Sequence, residues 1–207
     1  MLAAQLVPKY RYESCVVVAL SDGGVVVGAQ IAMQLHCAIN MLLYEEINLP
    51  MEPQAFSGVA HNGSYAYNSY YEPMERDEIM GDYYQYIEQQ KLEKMRNMHQ
   101  LLGSGGVARK DLLRGHYIIL VSDGIRSPFA LDLAVEYLKP IRYEKLIVAT
   151  PLASIQAVDR MHVLADDLYC LNVIDSELPT EHYYEAQDVP DHQKVVETIE
   201  KIILNWK

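Results

Sequence analysis

Short apolar runs recur along the chain with amphipathic stretches between them, and the spacing inside each run assigns it to a strand or a helix. CVVVAL (15–20) is apolar throughout and rich in β-branched residues, as a parallel strand covered on both faces must be. After SDGG, apolar or small side chains at 27, 28, 31, 32 and 35 repeat with helical period. AINMLLY (38–44) predicts a second strand. The unit then repeats. YIILV (117–121) predicts a strand, and Ala130, Leu133, Ala134, Tyr137 and Leu138 form the stripe of a helix that Pro140 stops. KLIVATP (145–151) predicts another strand, SIQAVDRMHVLA a helix with Ser154 as N-cap, and DLYCLNV (167–173) a last strand.

Two segments fall outside this alternation. AFSGVAHNGSYAYN (55–68) predicts a hairpin turning at Asn62-Gly63, a pair that tolerates the left-handed angles of a tight reversal. Residues 73–102 read as one long helix with Met80, Tyr83, Tyr84, Ile87, Met95, Met98 and Leu101 on its apolar stripe. Thirty residues would extend about 45 Å, so a break near Gly81 is expected. GSGG (103–106) should end it in a mobile loop. The final helix carries Val195, Ile199, Ile202, Ile203 and Trp206 on one stripe, to pack on the sheet or on a partner. Strands alternating with helices predict an α/β fold, an open, doubly wound parallel sheet.

Composition narrows the classes. The 207 residues suit one domain, half of them hydrophobic and 22% charged. No run is long and apolar enough for a membrane span, and the N-terminus lacks a signal-peptide layout, so a cytoplasmic protein is expected. Cys15, Cys37 and Cys170 lie far apart in apolar segments and read as small buried hydrophobes. A net charge of −11 argues against a nucleic-acid surface, which needs a basic face. The seven histidines show no metal-ligand spacing. GSGGVA (103–108) fits a dinucleotide fingerprint in letters but follows a helix, not a strand. Tyr65, Tyr67, Tyr70 and Tyr71 read as a half-buried face or a partner contact.

In an open parallel sheet, ligands bind at the carboxyl ends of the strands, where helix N-termini offer free N–H groups. LSDGG (20–24) and SDGIRSP (122–128) occupy that position, and their carboxylates could meet sugar hydroxyls or a magnesium ion. Ser127-Pro128 also makes a sound helix start without any ligand, serine capping and proline in the first turn.

In this order the two turns, with VVVALSDGGVVVGAQIAMQL, GHYIILVSDGIRSPFALDLAVEYL and KLIVATPLASIQAVDRMHVLADDLYCL around them, resemble the type I phosphoribosyltransferases, in particular the predicted-phosphoribosyltransferase group. The resemblance covers roughly 14–50 and 112–173. It implies a single domain over 1–207, with a hairpin, long helix and flexible loop inserted at 55–110 and a small hood with the C-terminal helix at 174–207. It also implies that phosphoribosyl pyrophosphate, or a nucleotide, lies across the two turns with magnesium. Asp123 would then meet the ribose as the catalytic acid. Gly124, Ile125, Arg126 and Ser127 would cradle the phosphate, Gly23 and Gly24 would meet the pyrophosphate, and Asp22 and Asp123 would hold the metal. A homodimer is a further expectation of the resemblance.

The chain departs from the family pattern at three places. Ser122 stands where the first acid belongs, Pro128 replaces a glycine and offers no N–H, and Asp22 replaces an arginine. A lost charge-assisted hydrogen bond is worth about 1.5–3 kcal/mol, so two or three such losses weaken binding or turnover about a thousandfold. The favoured expectation is a phosphoribosyltransferase-like protein with a degenerate site that binds a phosphorylated ribose or nucleotide, or acts as an interaction module. The alternative is an active magnesium-dependent phosphoribosyltransferase.

Overall fold

A computed structural model describes residues 1–102, 112–175, 180–184 and 191–204. The expected glycine-rich loop at 103–106 and part of the expected hood lie outside them. Five strands form a parallel sheet in the order β2-β1-β6-β7-β8: β1 (Cys15–Ala19), β2 (Ala38–Met41), β6 (Tyr117–Val121), β7 (Lys145–Ser154) and β8 (Asp167–Ile174). The remaining strands, β3 (Tyr44–Asn48), β4 (Ala55–Ala60) and β5 (Tyr65–Tyr67), make a separate antiparallel sheet.

Alternation along the central strands explains why both faces are apolar. Val17, Ala19, Ile119, Val121, Ile147 and Ala149 point to one side, where α1 (Leu2–Tyr10), α2 (Asp22–Leu35) and α6 (His192–Leu204) cover them. Val16, Val18, Ile118, Leu120, Leu146 and Val148 point to the other, under α4 (Phe129–Leu138) and α5 (Ile155–Leu164). The expected doubly wound α/β sheet is therefore the observed one. The hairpin also forms, with Gly63 at φ +86° in its turn. Ser154 caps α5, its hydroxyl accepting from the Ala157 N–H at 3.1 Å. The C-terminal helix packs on α2 and β2 rather than outward.

Several boundaries differ from expectation. α1 was not foreseen; Leu2, Leu6 and Tyr10 are its buried stripe, with Pro8 inside the helix masking the pattern. The second strand ends at Met41, where the chain leaves the central sheet. Tyr44–Asn48 pairs instead with β4, so the insertion is a three-stranded sheet and not a hairpin alone. The long helix α3 (Pro73–Leu102) runs unbroken through Gly81, where nothing lies within 4 Å of a built Cβ and no kink is imposed. Its buried contacts reduce to Ile87 and Met98. Tyr83, Tyr84 and Leu101 are exposed, because the small inserted sheet is too short to cover the whole stripe. Tyr71 is buried, whereas Tyr70 projects into solvent. Cys15 and Cys37 are buried free thiols, and Cys170 is only half-buried because β8 is an edge strand. Among the described residues no helix is long and apolar enough to cross a membrane.

Candidate functional site

The strand order reverses between β1 and β6. The helix after β1 crosses one face of the sheet and the helix after β6 crosses the other, so both turns leave their strands at the reversal, where open α/β sheets form their crevice. The Leu20 N–H donates to the Val121 carbonyl at 2.9 Å, holding the two turns in register.

The first turn is shorter than its glycines suggest. Helix α2 starts at Asp22, about five residues before the apolar stripe, because the Ser21 hydroxyl accepts from the Gly24 N–H at 2.9 Å and caps the first turn. The same hydroxyl donates to Asp123 Oδ1 at 2.6 Å, so one serine both caps α2 and fixes the acid of the second turn. Gly23 is required by proximity: a Cβ there would overlap the Asp123 carboxylate. Asp22 sits at the helix N-terminus, where the dipole favours negative charge, and its Oδ1 lies 3.4 Å from His192 Nδ1 on α6. The Nε2 atom of that histidine is buried and finds no partner among the described residues.

The second turn is bonded mainly to its own chain. The Ser122 hydroxyl donates to the Gly124 carbonyl at 3.0 Å and accepts from the Gly124 N–H at 3.2 Å. Ile125 is buried and bridges to β7: its N–H donates to the Leu152 carbonyl at 2.9 Å, and its carbonyl accepts from the Ser154 N–H at 2.9 Å. The Arg126 carbonyl accepts from the Ser154 hydroxyl at 2.8 Å. β7 runs on to Ser154, past the expected end at 151, because its extension pairs with β8 on one side and with this bridge on the other. Pro128 takes the flanking position of α4 with helical angles, φ −62° and ψ −19°. The Ser127 hydroxyl accepts from the Phe129 N–H at 3.2 Å, but α4 starts one residue later than expected, with Pro128 and not Ser127 in the cap position.

Two contacts come from the C-terminal part of the chain. The Tyr184 hydroxyl donates to the Asp123 carbonyl at 2.5 Å, and the Thr180 side chain packs onto Gly124. Burial, with the Asp123 charge adding, pushes the Tyr184 phenol up to about 12, so it stays a hydrogen-bond donor at neutral pH.

The structure thus gathers Asp22, Gly23, Gly24, Ser122, Asp123 and Gly124 around one crevice. Ile125 offers only its backbone, which β7 already takes, and Ser127 faces a cleft on the insertion side. Ser21, His192 and Thr180 were missed, whereas Tyr184 lies in EHYYEAQDVPD (181–191), whose acids and tyrosines read either as a rim of the cleft or as a solvated loop. Ser21 carried a usable signal, a serine three residues before a glycine at a helix start; His192 and Thr180 are brought in by tertiary packing alone.

The described side chains fall short of a resident metal site. Among the described residues there is no group of three or more histidine, cysteine or carboxylate side chains, and the two carboxylates at hand are engaged by His192, Ser21 and Ser122. Magnesium accompanying a polyphosphate is a different case, since it keeps most of its coordination in water and phosphate oxygens.

No family model matches the chain. Over 174 residues, 81% of its length, the chain is 22% identical to two curated proteins of Mycobacterium tuberculosis strains, each named "Putative phosphoribosyl transferase". It spans about 37% of the length of those relatives. Among solved structures it superposes on the protein TT1426 from Thermus thermophilus with a TM-score of 0.67 and 22% identity, covering 99% of this chain and 93% of that one. A hypoxanthine phosphoribosyltransferase from Staphylococcus aureus gives a TM-score of 0.51 at 13% identity, covering 85% and 70%. The chain therefore has the type I phosphoribosyltransferase fold. In fold it is like the phosphoribosyltransferases, and its two turns meet at the β1/β6 reversal.

Proposed function

We propose that the crevice binds a phosphorylated ribose or a nucleotide with low affinity and without efficient pentosyl transfer. One observation carries this reading. The N–H groups of Gly124, Ile125 and Phe129 are bonded within the chain, and Pro128 has none, so the second turn has few backbone donors to give a phosphate. Ser122 supplies a hydroxyl where a second acid would meet the ribose, and that hydroxyl is committed to Gly124. Asp22 adds negative charge where a pyrophosphate would sit, with His192 Nδ1 3.4 Å from its Oδ1.

The active alternative is favoured by a different observation. The Ser21–Asp123 hydrogen bond holds a carboxylate beside the N-terminus of α2, the arrangement needed to position a ribose against an anion site. In that case phosphoribosyl pyrophosphate would bring magnesium, with Asp22 and Asp123 as its protein ligands, Asp123 as the catalytic acid, and Gly23, Gly24 and Arg126 facing the phosphates. Calorimetric titration of phosphoribosyl pyrophosphate with and without magnesium separates the two readings. Weak, magnesium-independent binding without turnover supports the first. Tight magnesium-dependent binding with turnover that Asp123→Ala abolishes supports the second, and no binding at all discards both.

We also place the protein in the cytoplasm, in keeping with its free thiols. For a homodimer, the outward face of α3 with Tyr83, Tyr84 and Leu92 is the surface we assign; sedimentation of the wild type against Tyr84→Glu tests it.

A further inference from the structure

We propose that the cleft between the inserted sheet and the start of α4 is a second ligand subsite, taking a small molecule that carries ammonium groups and anchoring it on the Glu46 carboxylate. The cleft holds about 400 Å³, and its lining includes Glu46, Asn48, Glu52, Gln54, Asn68 and Ser127. Its place beside the crevice rests on the reading of that crevice as a sugar-phosphate site; its own chemistry does not.

The alternation of β3 sets the side chains. Ile47 faces the insertion's own core with Phe56, Tyr71 and Ile87, so Glu46 turns to the opposite side of the strand, toward the start of α4. Glu45, on the Ile47 side, pairs with Lys94 of α3 at 3.5 Å. The sheet is bolted to α4 at Gly58, the register partner of Glu46, where the Phe129 ring occupies the space a side chain would need. The cleft therefore opens two residues from that bolt, at Ser127.

Its lining selects a cation. The lining residues include two carboxylates and three carboxamides but no lysine, arginine or histidine. Both ends of the Asn68 amide are spent on the Ala55 carbonyl and the Tyr70 N–H, which makes that wall rigid. Among the described residues Glu46 forms no hydrogen bond or close ion pair of its own. Burial, the largest cause, raises its carboxyl above the ordinary range, Lys94 opposing and Glu45 adding. A carboxylate desolvated in this way is stabilised by an incoming ammonium, whereas a phosphate would meet only like charge there.

Putrescine titrated by calorimetry into the whole protein at low salt is the test, with butanediol as the uncharged control. Putrescine should bind and butanediol should not. Glu46→Gln should weaken putrescine at least about tenfold, the scale of a lost charge-assisted contact. Glu136→Gln, on the exposed face of α4, should leave it unchanged. Equal weakening in both variants would mean diffuse attraction to an acidic protein and overturn the proposal, as would no putrescine binding or equal butanediol binding. If Glu46→Gln does not fold, side-chain amide resonances of Asn48 in the wild type decide: they shift on adding putrescine, or the proposal falls. Ribose 5-phosphate titrated separately reports on the crevice, so that either site can fail alone.

Discussion

The Ser21 hydroxyl donates to the Asp123 carboxylate at 2.6 Å, joining two turns that lie 102 residues apart in the chain. The same oxygen caps α2. Ser21→Ala removes both bonds and should cost about 2–5 kcal/mol in urea unfolding, the sum of a lost cap and a lost charge-assisted bond. Gly23→Ala acts on the same carboxylate by displacement, since its Cβ would overlap Asp123. It should weaken ribose 5-phosphate binding as much as Ser21→Ala does while leaving the cap intact; equal affinity to wild type would remove Asp123 from the binding site.

Pro128→Gly returns an N–H to the second turn. Glycine near a helix start raises the entropy of the unfolded chain, so stability should fall by about 1 kcal/mol. Affinity for ribose 5-phosphate should rise by calorimetry if donors limit binding. An unchanged affinity would mean that the missing N–H is not what weakens the site.

Arg160 of α5 reaches Asp132 of α4 with Nε 2.5 Å from Oδ1. The carboxyl is nearly buried, and its other oxygen finds no partner among the described residues. Arg160→Met leaves that charge stranded between two helices and should destabilise the fold by about 3 kcal/mol in urea. Adding Asp132→Leu should restore most of the loss, because the burial cost is then gone.

Asp167 at the start of β8 accepts from Lys9 Nζ and the Tyr10 hydroxyl, both at 2.6 Å. The Lys9 bond, the largest cause, holds its carboxyl below the ordinary value of 3.8. A folded-state value below the unfolded one contributes stability above the unfolded value, and that stability is lost as pH falls through the lowered one. Asp167→Asn should therefore be less stable than wild type at neutral pH, with the gap closing below about pH 4 in a series of urea melts. A gap that persists into acid would assign its cause to packing around α1 instead.

The central sheet was legible because its strands are apolar on both faces and bounded by turn residues, which is how Cys15–Ala19, Tyr117–Val121 and Asp167–Ile174 were found. Tyr44–Asn48 was not, since YEEIN presents a single buried residue, Ile47, and owes its strand state to pairing with β4. The helical angles of α2 begin earlier than the stripe read from the sequence because Ser21 caps the first turn and Val25 is already buried in it. In the candidate site, the acids and glycines stood out by type and order. Their partners did not: His192 and Thr180 reach the turns from far along the chain, and only packing puts them there. The unbroken α3 shows the reverse error, a glycine read as a hinge where no neighbour asks for one.

If a phosphate were to claim the Ile125 amide, the bridge between Ile125 and β7 would make occupancy and loosening a single event. A phosphate that claims the Ile125 amide must take it from Leu152, unfastening the outermost rung between the second turn and the sheet. Most ligands slow the exchange of amide protons with solvent; here the Ser154 amide, deprived of its neighbour's grip, should exchange faster when the crevice is filled.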